Sequence, residues 1–313
     1  MSAPTLAQAL RDAARAGLGR LDAQLLLLHA LGRPVHDRAW LFAHDDDALP
    51  ESARARFEDH VARRAAGEPV AYLLGEKEFH GLALRVDARV LVPRPDTEAL
   101  VEWALALLDA PAVAVAAGDA PRHGSSGPSV LDLGTGSGAI ALALQRARPD
   151  ARVDAVDASA DALAVARDNA VRLGLPVRFA QGDWLDGAPA AAYDLIVSNP
   201  PYIAIGDPHL PALAHEPAAA LVAGADGLDD LRRIVASAPA RLRDGGWLLL
   251  EHGHDQAGAV RALLAARGFT HVASRRDLAG IERCSGGRRA GPPGRSADED
   301  LGRATGSAGA TVK

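Results

Sequence analysis

Cysteine is nearly absent: Cys284 is the single one in 313 residues. One thiol can form neither an internal disulfide nor a thiolate metal site, so a reducing compartment is expected. Lysine is almost as scarce, with only Lys77 and Lys313, and the basic side chains are otherwise arginines. Together with abundant alanine and glycine, this points to a GC-rich coding sequence more than to nucleic-acid binding. The net charge of −6 also argues against a broad phosphate-binding surface. No run reaches the 18 apolar residues of a membrane span. The closest, Trp103 to Ala117, is interrupted by Asp109 and Pro111. The first residues carry Arg11, Asp12 and Arg15 on an Ala/Leu helical pattern, without the compact apolar core and cleavage site of a signal peptide. A cytoplasmic protein is expected. There is no Ser-His-Asp pattern, no H-E-x-x-H and no P-loop, so metal catalysis is not expected. What remains is an ordinary globular composition, 48% apolar and 24% charged, which excludes a mostly disordered or collagen-like chain.

The pattern divides the chain. Apolar residues recur at helical spacing at Leu6, Ala9, Leu10 and Ala13, and again at Leu21, Leu25, Leu28 and Leu31 before a Gly32/Pro34 stop. Trp40-Leu41-Phe42 form an apolar knot, and a longer helix is predicted from Pro50 to Ala66. Residues 1–75 thus read as a small helical recognition domain. In 76–128, Phe79 to Leu84 suggests a hairpin and Val90-Leu91-Val92 a short strand. Asp96 or Thr97 caps a helix through Leu107, and the Ala/Gly/Pro/Ser-rich stretch 110–128 reads as a flexible linker. From Val130 strands and helices alternate through 129–289. Strands are predicted at 130–133, 153–156, 177–180, 195–198, 247–251 and 269–273, with a helix from Leu228 to Leu242. This is the signature of an α/β doubly wound sheet. The Gly/Ser/Arg-rich end, from Gly286 on and above all 290–313, offers almost nothing to bury and reads as a disordered tail.

Chemistry gathers at the predicted strand ends. Asp132-Leu133-Gly134-Thr135-Gly136-Ser137-Gly138 lies where the first strand turns into a helix, and glycines there let backbone N–H groups approach a ligand. Asp157 ends the second strand about 20 residues on, where a carboxylate can accept both hydroxyls of an adenosine ribose. Asp183 and Trp184 follow the third strand, placing an acceptor for an adenine amino group beside a flat apolar face. All three strand ends point to an adenosine, and NAD and S-adenosylmethionine both remain open at this stage. Asn199-Pro200-Pro201-Tyr202 directly follows the fourth strand. Neither proline has an N–H and both have φ fixed near −65°, so the loop is a rigid rim of acceptors. It suits a planar group bearing –NH2. One N–H would go to the Asn199 side-chain oxygen and the other to the Pro200 carbonyl, with the Tyr202 ring stacked on the plane. His209 and His215, further on, read as solvated loop histidines.

These residues carry a resemblance. Asp132 to Gly138 with Asp157 looks like a class I S-adenosylmethionine-dependent methyltransferase, and Asn199 to Tyr202 resembles the motif of enzymes that methylate amino groups on planar systems. Pro93-Arg94-Pro95-Asp96-Thr97-Glu98, Pro69-Val70-Ala71-Tyr72 with Gly75, and Glu216-Pro217 with Asp226-Gly227-Leu228 narrow the match. They resemble the protein-(glutamine-N5) methyltransferases acting on peptide-chain release factors (the HemK/PrmC family). The resemblance spans roughly residues 4–284. It implies a Rossmann-like class I methyltransferase fold with a small N-terminal helical domain and S-adenosyl-L-methionine as cofactor. Gly134, Thr135, Gly136, Ser137, Gly138, Asp157, Asp183, Trp184 and Asn199 would bind that cofactor. Asn199, Pro200, Pro201 and Tyr202 would hold the substrate, with Asn199, Pro200 and Tyr202 as the catalytic grip. The implied partner is a class-1 release factor whose Gly-Gly-Gln glutamine is methylated, by a monomer without direct nucleic-acid or membrane contact. A sister family that methylates a ribosomal-protein glutamine shares the Asn-Pro-Pro-Tyr loop but usually lacks the Pro-Asp-Thr-Glu motif. An N6-adenine nucleic-acid methyltransferase, or an adenosine-binding module without activity, are the other readings. Two departures stand out: the 110–128 insertion is longer than the family's linker, and Cys284-Ser285-Gly286-Gly287-Arg288-Arg289 replaces an apolar strand, which is expected to be short or frayed.

Truncation after Arg289 is expected to leave melting temperature and methyl-transfer activity unchanged. A large drop in either would show that the terminal segment packs on the catalytic domain.

Overall fold

The computed structural model describes residues 4–109, 127–190 and 192–291. Most of the 110–128 linker and of the 290–313 tail therefore lies outside the described residues. Five helices come first: α1 (Leu6–Arg15), α2 (Arg20–Ala30), α3 (Arg38–Ala43), α4 (Glu51–Ala65) and α5 (Val70–Leu74). The Thr5 hydroxyl caps α1 by accepting from the Gln8 N–H, satisfying one of the amides every helix start leaves open. Leu6, Leu26, Leu27, Leu28, Leu49 and Phe57 close a core of their own.

A hairpin follows, β1 (Glu76–Phe79) and β2 (Leu82–Arg85). Its two-residue turn has φ of 48° at His80 and 75° at Gly81, the left-handed pair that matches the twist of the flanking strands. The strand predicted at 90–92 does not form. β2 pairs only with β1 among the described strands, and the Val92 N–H is taken instead by the buried Glu216 carboxylate at 3.0 Å. Val86 and Val90 of this irregular stretch pack with Ala162 and Val165. A 3-10 turn at Pro95–Thr97 leads into α6 (Glu98–Asp109).

Among the described residues the main sheet has seven strands in the order β5-β4-β3-β6-β7-β9-β8. These are β3 (Ser129–Leu133), β4 (Arg152–Asp157), β5 (Arg178–Gln181), β6 (Tyr193–Ser198), β7 (Leu242–Glu251), β8 (Phe269–Arg276) and β9 (Glu282–Arg289). β3 to β7 run parallel, and β9 is antiparallel to both β7 and β8. The intervening helices are α7 (Ala139–Ala147), α8 (Ala160–Leu173), α9 (Asp229–Ser237) and α10 (Ala257–Ala266). Alternate β3 residues feed two cores. Val130 packs on the side of α6 and α7, and Leu131 and Leu133 on the side of α9 and α10. This two-sided burial is why the parallel strands read as continuous apolar runs. The chain starts at the centre, winds outward through β4 and β5, then returns to β6. The carboxyl ends of β3 and β6 therefore flank the crevice where such sheets bind ligands.

The helix predicted from Leu228 to Leu242 stops at Ser237. Ala238–Ala240 tightens to a 3-10 turn around Pro239, which has no N–H to extend the α-helix. β9 corrects a further expectation. It is neither frayed nor short, running eight residues between two partners with Cys284 and Ser285 fully buried, and it takes in Gly286 to Arg289 from the stretch read as tail. Its small residues are what allow this. A Cβ on Gly286 would lie 2.4 Å from Leu249 Cδ2, and one on Gly287 2.8 Å from Phe269 Cβ. Ser285 Oγ bonds His252 Nε2 at 2.8 Å and Ser274 Oγ at 2.7 Å, so the buried hydroxyl is satisfied.

Gly286→Val is expected to destabilise the protein by at least about 1–3 kcal/mol through overpacking, read as a lower urea midpoint. An unchanged midpoint would contradict the close packing of β9 on β7.

Candidate active site

The strand ends at the carboxyl edge hold the polar groups. After β3, Gly134, Gly136 and Gly138 have φ of 68°, 55° and 85°, a left-handed succession that side chains with a Cβ resist. The turn's amides are largely bonded internally, unlike the expectation that they face a ligand. The N–H groups of Gly134 and Thr135 both donate to Val156 O, that of Gly136 to Asp157 Oδ2, and that of Gly138 to Thr135 O. What the glycines provide is room. A Cβ at Gly136 would meet nothing within 4 Å, whereas one at Gly134 would meet the Trp184 ring at 3.2 Å.

Beneath the turn lies Asp132, fully buried. Its Oδ2 accepts from Thr135 Oγ1 at 2.6 Å and the Ala141 N–H at 3.2 Å, while Oδ1 is buried without a partner among the described residues. Burial pushes its pKa up to about 7 against the pull of those hydrogen bonds. An orphaned buried acceptor under an open glycine turn fits a ligand that brings a cationic donor. Ser137 is buried, and its carbonyl accepts from Asn169 Nδ2.

Asp157 ends β4 half-buried, with Oδ2 on the Gly136 N–H and Oδ1 on the Ser159 N–H at 2.9 Å. The residue that was expected to grip ribose therefore also shapes the glycine turn, and each oxygen keeps a further lone pair. After β5, Asp183 is exposed and pairs with Arg233 through Oδ2. Trp184 has φ of 49°, which is uncommon for a side chain of its size. Its Nε1 donates to Asp230 Oδ1 at 3.2 Å, fixing the ring against Gly134.

After β6, Ser198 Oγ donates to Leu133 O at 2.8 Å, locking the two central strands where the crevice opens. Asn199 Nδ2 donates to Thr97 Oγ1 at 3.2 Å, so the side-chain amide is held by the segment ahead of α6. Pro200 is buried and Pro201 half-buried. The Tyr202 hydroxyl donates to Glu251 Oε1 at 3.3 Å, and its carbonyl accepts from Gln256 Nε2 at 3.0 Å. Burial raises the Tyr202 pKa, keeping the phenol protonated. Gly227 passes so close that a Cβ there would sit 2.2 Å from Tyr202 O.

The structure thus brings the Gly134–Gly138 turn, Asp157, Trp184 and Asn199 to one edge. Sequence reasoning did not single out Thr97, Glu251 and Gln256 as the backing of the loop. Nor did it see that Glu216 joins the segments before α6 and after Tyr202. Glu216 is buried, holds Val92 N–H and pairs with Arg94. His215, read as solvated, reaches Ala66 O at 3.1 Å on the helical domain.

Family models match on both sides of this arrangement: "PrmC N-terminal domain" over residues 5–75 and "Methyltransferase small domain" over 121–260. The chain is 53% identical over 274 residues to the release factor glutamine methyltransferase of Bordetella pertussis, covering 87% of this chain and 95% of that one. It is 50% identical to the one of Burkholderia pseudomallei, covering 88% and 93%. The chain belongs to the release factor glutamine methyltransferase family. A methyltransferase from Pyrococcus furiosus, 18% identical, superposes with a TM-score of 0.50 over 74% of this chain and 99% of that one, a likeness of fold.

A carboxyl group whose folded pKa lies above its unfolded value binds its proton more tightly when folded. The stability it contributes is full below the unfolded pKa, near 3.8 for Asp132, and is lost as pH rises through the folded value. Asp132 is therefore expected to take on the order of 2–4 kcal/mol from ligand-free stability between about pH 4 and pH 8. Urea titrations across that range should show the slope reduced in Asp132→Asn. An equal slope in the variant would show that Asp132 is not the group responsible.

Proposed function

We propose that the protein methylates the side-chain amide nitrogen of a glutamine, that of the Gly-Gly-Gln segment of class-1 peptide-chain release factors, with S-adenosyl-L-methionine as methyl donor. Curated relatives named release factor glutamine methyltransferase, about half identical over most of the chain, support the substrate class. In this reading the protein acts as a cytoplasmic monomer on a protein substrate, without binding nucleic acid itself. Residues 1–75 serve as the recognition domain and 129–289 as the catalytic domain.

The observation that carries the chemistry is the tether of Asn199 Nδ2 to Thr97. With its NH2 held, Asn199 presents Oδ1 as an acceptor. The Pro200 carbonyl is the second acceptor of the grip, on a backbone that the two prolines stiffen. An amide nitrogen is a weak nucleophile because its lone pair is delocalised into the carbonyl. Two acceptors on its N–H groups stabilise the positive charge that develops as nitrogen attacks, and they hold it in line. The product sheds its proton readily, so no strong base is needed. Tyr202 closes the amide plane with its ring. Bound S-adenosylmethionine supplies an electrophilic methyl group on a sulfonium. Asp157 is assigned to the ribose hydroxyls, Asp183 and Trp184 to the adenine, and Gly134, Thr135, Gly136, Ser137 and Gly138 to the floor beneath it. The unpartnered Asp132 Oδ1 suits the ammonium of the methionine part.

Incubation with labelled S-adenosylmethionine and, separately, a release factor, a ribosomal protein and DNA should label only the release factor. Labelling of DNA alone would overturn the reading. Asn199→Ala should lower kcat on the release factor by on the order of 10²–10³-fold, the usual loss for one preorganised group, with a much smaller change in cofactor affinity. Asp157→Ala should weaken cofactor binding at least roughly tenfold, from charge-assisted bonds of about 1.5–3 kcal/mol each. Calorimetry giving an unchanged Kd would remove Asp157 from the cofactor site.

A further inference from the structure

Gln256 begins α10 and is used in an unusual way. It is the N-cap residue of that helix, yet its side chain caps nothing, whereas the residues favoured there are short ones that accept from the helix's own amides. Instead the half-buried side chain is bonded at both ends. Its Oε1 accepts from the Gly253 N–H at 2.8 Å. Its Nε2 donates to Tyr202 O at 3.0 Å, with Asp226 O at 3.3 Å and Gly227 O at 3.4 Å also within reach. Glycines make the room for it. A Cβ at Gly227 would lie 2.8 Å from Nε2, and one at Gly253 would lie 3.0 Å from Oε1.

The direction of these bonds requires no charge state. A backbone N–H only donates and a carbonyl only accepts, so the Gly253 amide takes the oxygen end of the side chain and the three carbonyls take its NH2. The Gly253 bond closes a local turn, in which the Gln256 N–H donates back to Gly253 O at 3.1 Å. A glutamate would close that turn equally well. Only the donor half requires a glutamine, and it lies at the neck of the excursion that leaves the sheet after Tyr202 and returns at Asp226 and Gly227. Within the neck the two sides of the excursion hold each other, Ile203 N–H on Leu221 O at 2.8 Å and Ala223 N–H on Ile203 O at 2.9 Å. Gln256 fastens both of its ends to α10, which is anchored in the core by Val260 and Leu264.

We propose that Gln256 is a positioning residue for the protein substrate, which holds the Tyr202 carbonyl and thereby sets where the Tyr202 ring lies over the substrate amide. The inference rests on the reading of Tyr202 as the face that closes the amide plane. Fixing the carbonyl fixes the backbone rotation at Tyr202, from which the ring projects. The hydroxyl of the same tyrosine donates to Glu251 Oε1 at 3.3 Å, so the residue is held at its main chain and at its tip, and the ring between them has little freedom. Without the Nε2 donor the main-chain hold is gone and the neck of the excursion is tied only by its own backbone bonds. In this role Gln256 acts through Tyr202 and not on the reacting atoms.

The test compares Gln256→Glu, Gln256→Met, Tyr202→Ala and the Tyr202→Ala/Gln256→Glu double variant in the full chain. Readouts are kcat and KM on a release factor, the cofactor Kd and the melting temperature. Gln256→Glu keeps the bulk and the acceptor for Gly253, but it sets a carboxyl oxygen against three carbonyls. It should raise KM roughly tenfold or more and change kcat less, with the cofactor Kd within about twofold of wild type. Gln256→Met, which lacks the donor without adding charge, should also raise KM. In the Tyr202→Ala background Gln256→Glu should add no more than about twofold, because both changes act on one ring. Should Gln256→Glu fail to fold, Gln256→Met takes its place in the same cycle. A wild-type KM in Gln256→Glu beside a raised KM in Tyr202→Ala would overturn the proposal and leave Gln256 as a local turn closure. Losses that multiply in the double variant would overturn it too. A wild-type KM in Tyr202→Ala would instead overturn the reading of Tyr202, and failure of the wild-type protein to label a release factor would overturn the assignment of substrate.

Discussion

The hydrogen bond from Asn199 Nδ2 to Thr97 Oγ1 is the joint on which the site depends. It connects the loop after β6 with the segment that enters α6, two stretches 102 residues apart. Around it stand the Arg94–Glu216 pair, the Gln256 bond to the Tyr202 carbonyl and the Ser198 bond to Leu133. Each ties a loop at the carboxyl edge to an element that the sheet already holds. A loop of two prolines has few amides of its own to satisfy, so its position must be set from outside, by side chains that reach its carbonyls and its flanking residues.

The same arrangement explains why the segment before α6 belongs with the Asn199–Tyr202 loop although it precedes the sheet. Glu216, buried, accepts the Val92 N–H and pairs with Arg94, so the stretch 92–97 and the stretch after Tyr202 are closed on each other. His215 next door reaches Ala66 at the end of α4. The Asn199 loop, the 92–97 segment and, through His215, the helical region are thus tied together. In the proposed reaction this rigidity has a chemical purpose: a weak amide nucleophile gains mainly from orientation and from preplaced acceptors.

Much of this was legible in the chain itself. Alternating apolar strands and amphipathic helices from Val130 onward specify a doubly wound sheet, because periodicity reports which faces are buried. The glycine turn, Asp157 and Asn199-Pro200-Pro201-Tyr202 are read from sequence because glycine and proline dictate backbone geometry locally. The sequence also fixes strand-end positions, which in a parallel sheet all fall on one edge. Three things needed the tertiary structure. Val90 to Val92 looks like a strand, but whether a β-prone segment pairs depends on a free neighbouring edge, and a distant Glu216 took its amide instead. Ser285-Gly286-Gly287 looks too polar and small for a core strand. Its fitness shows only against Leu249 and Phe269, where a larger side chain would collide. Thr97 is legible in sequence as a helix-start residue within a motif, but its tie to Asn199 is not, since nothing local says which distant side chain its hydroxyl meets. That tie joins groups 102 residues apart in sequence, and it is decided by which atoms the fold brings within reach.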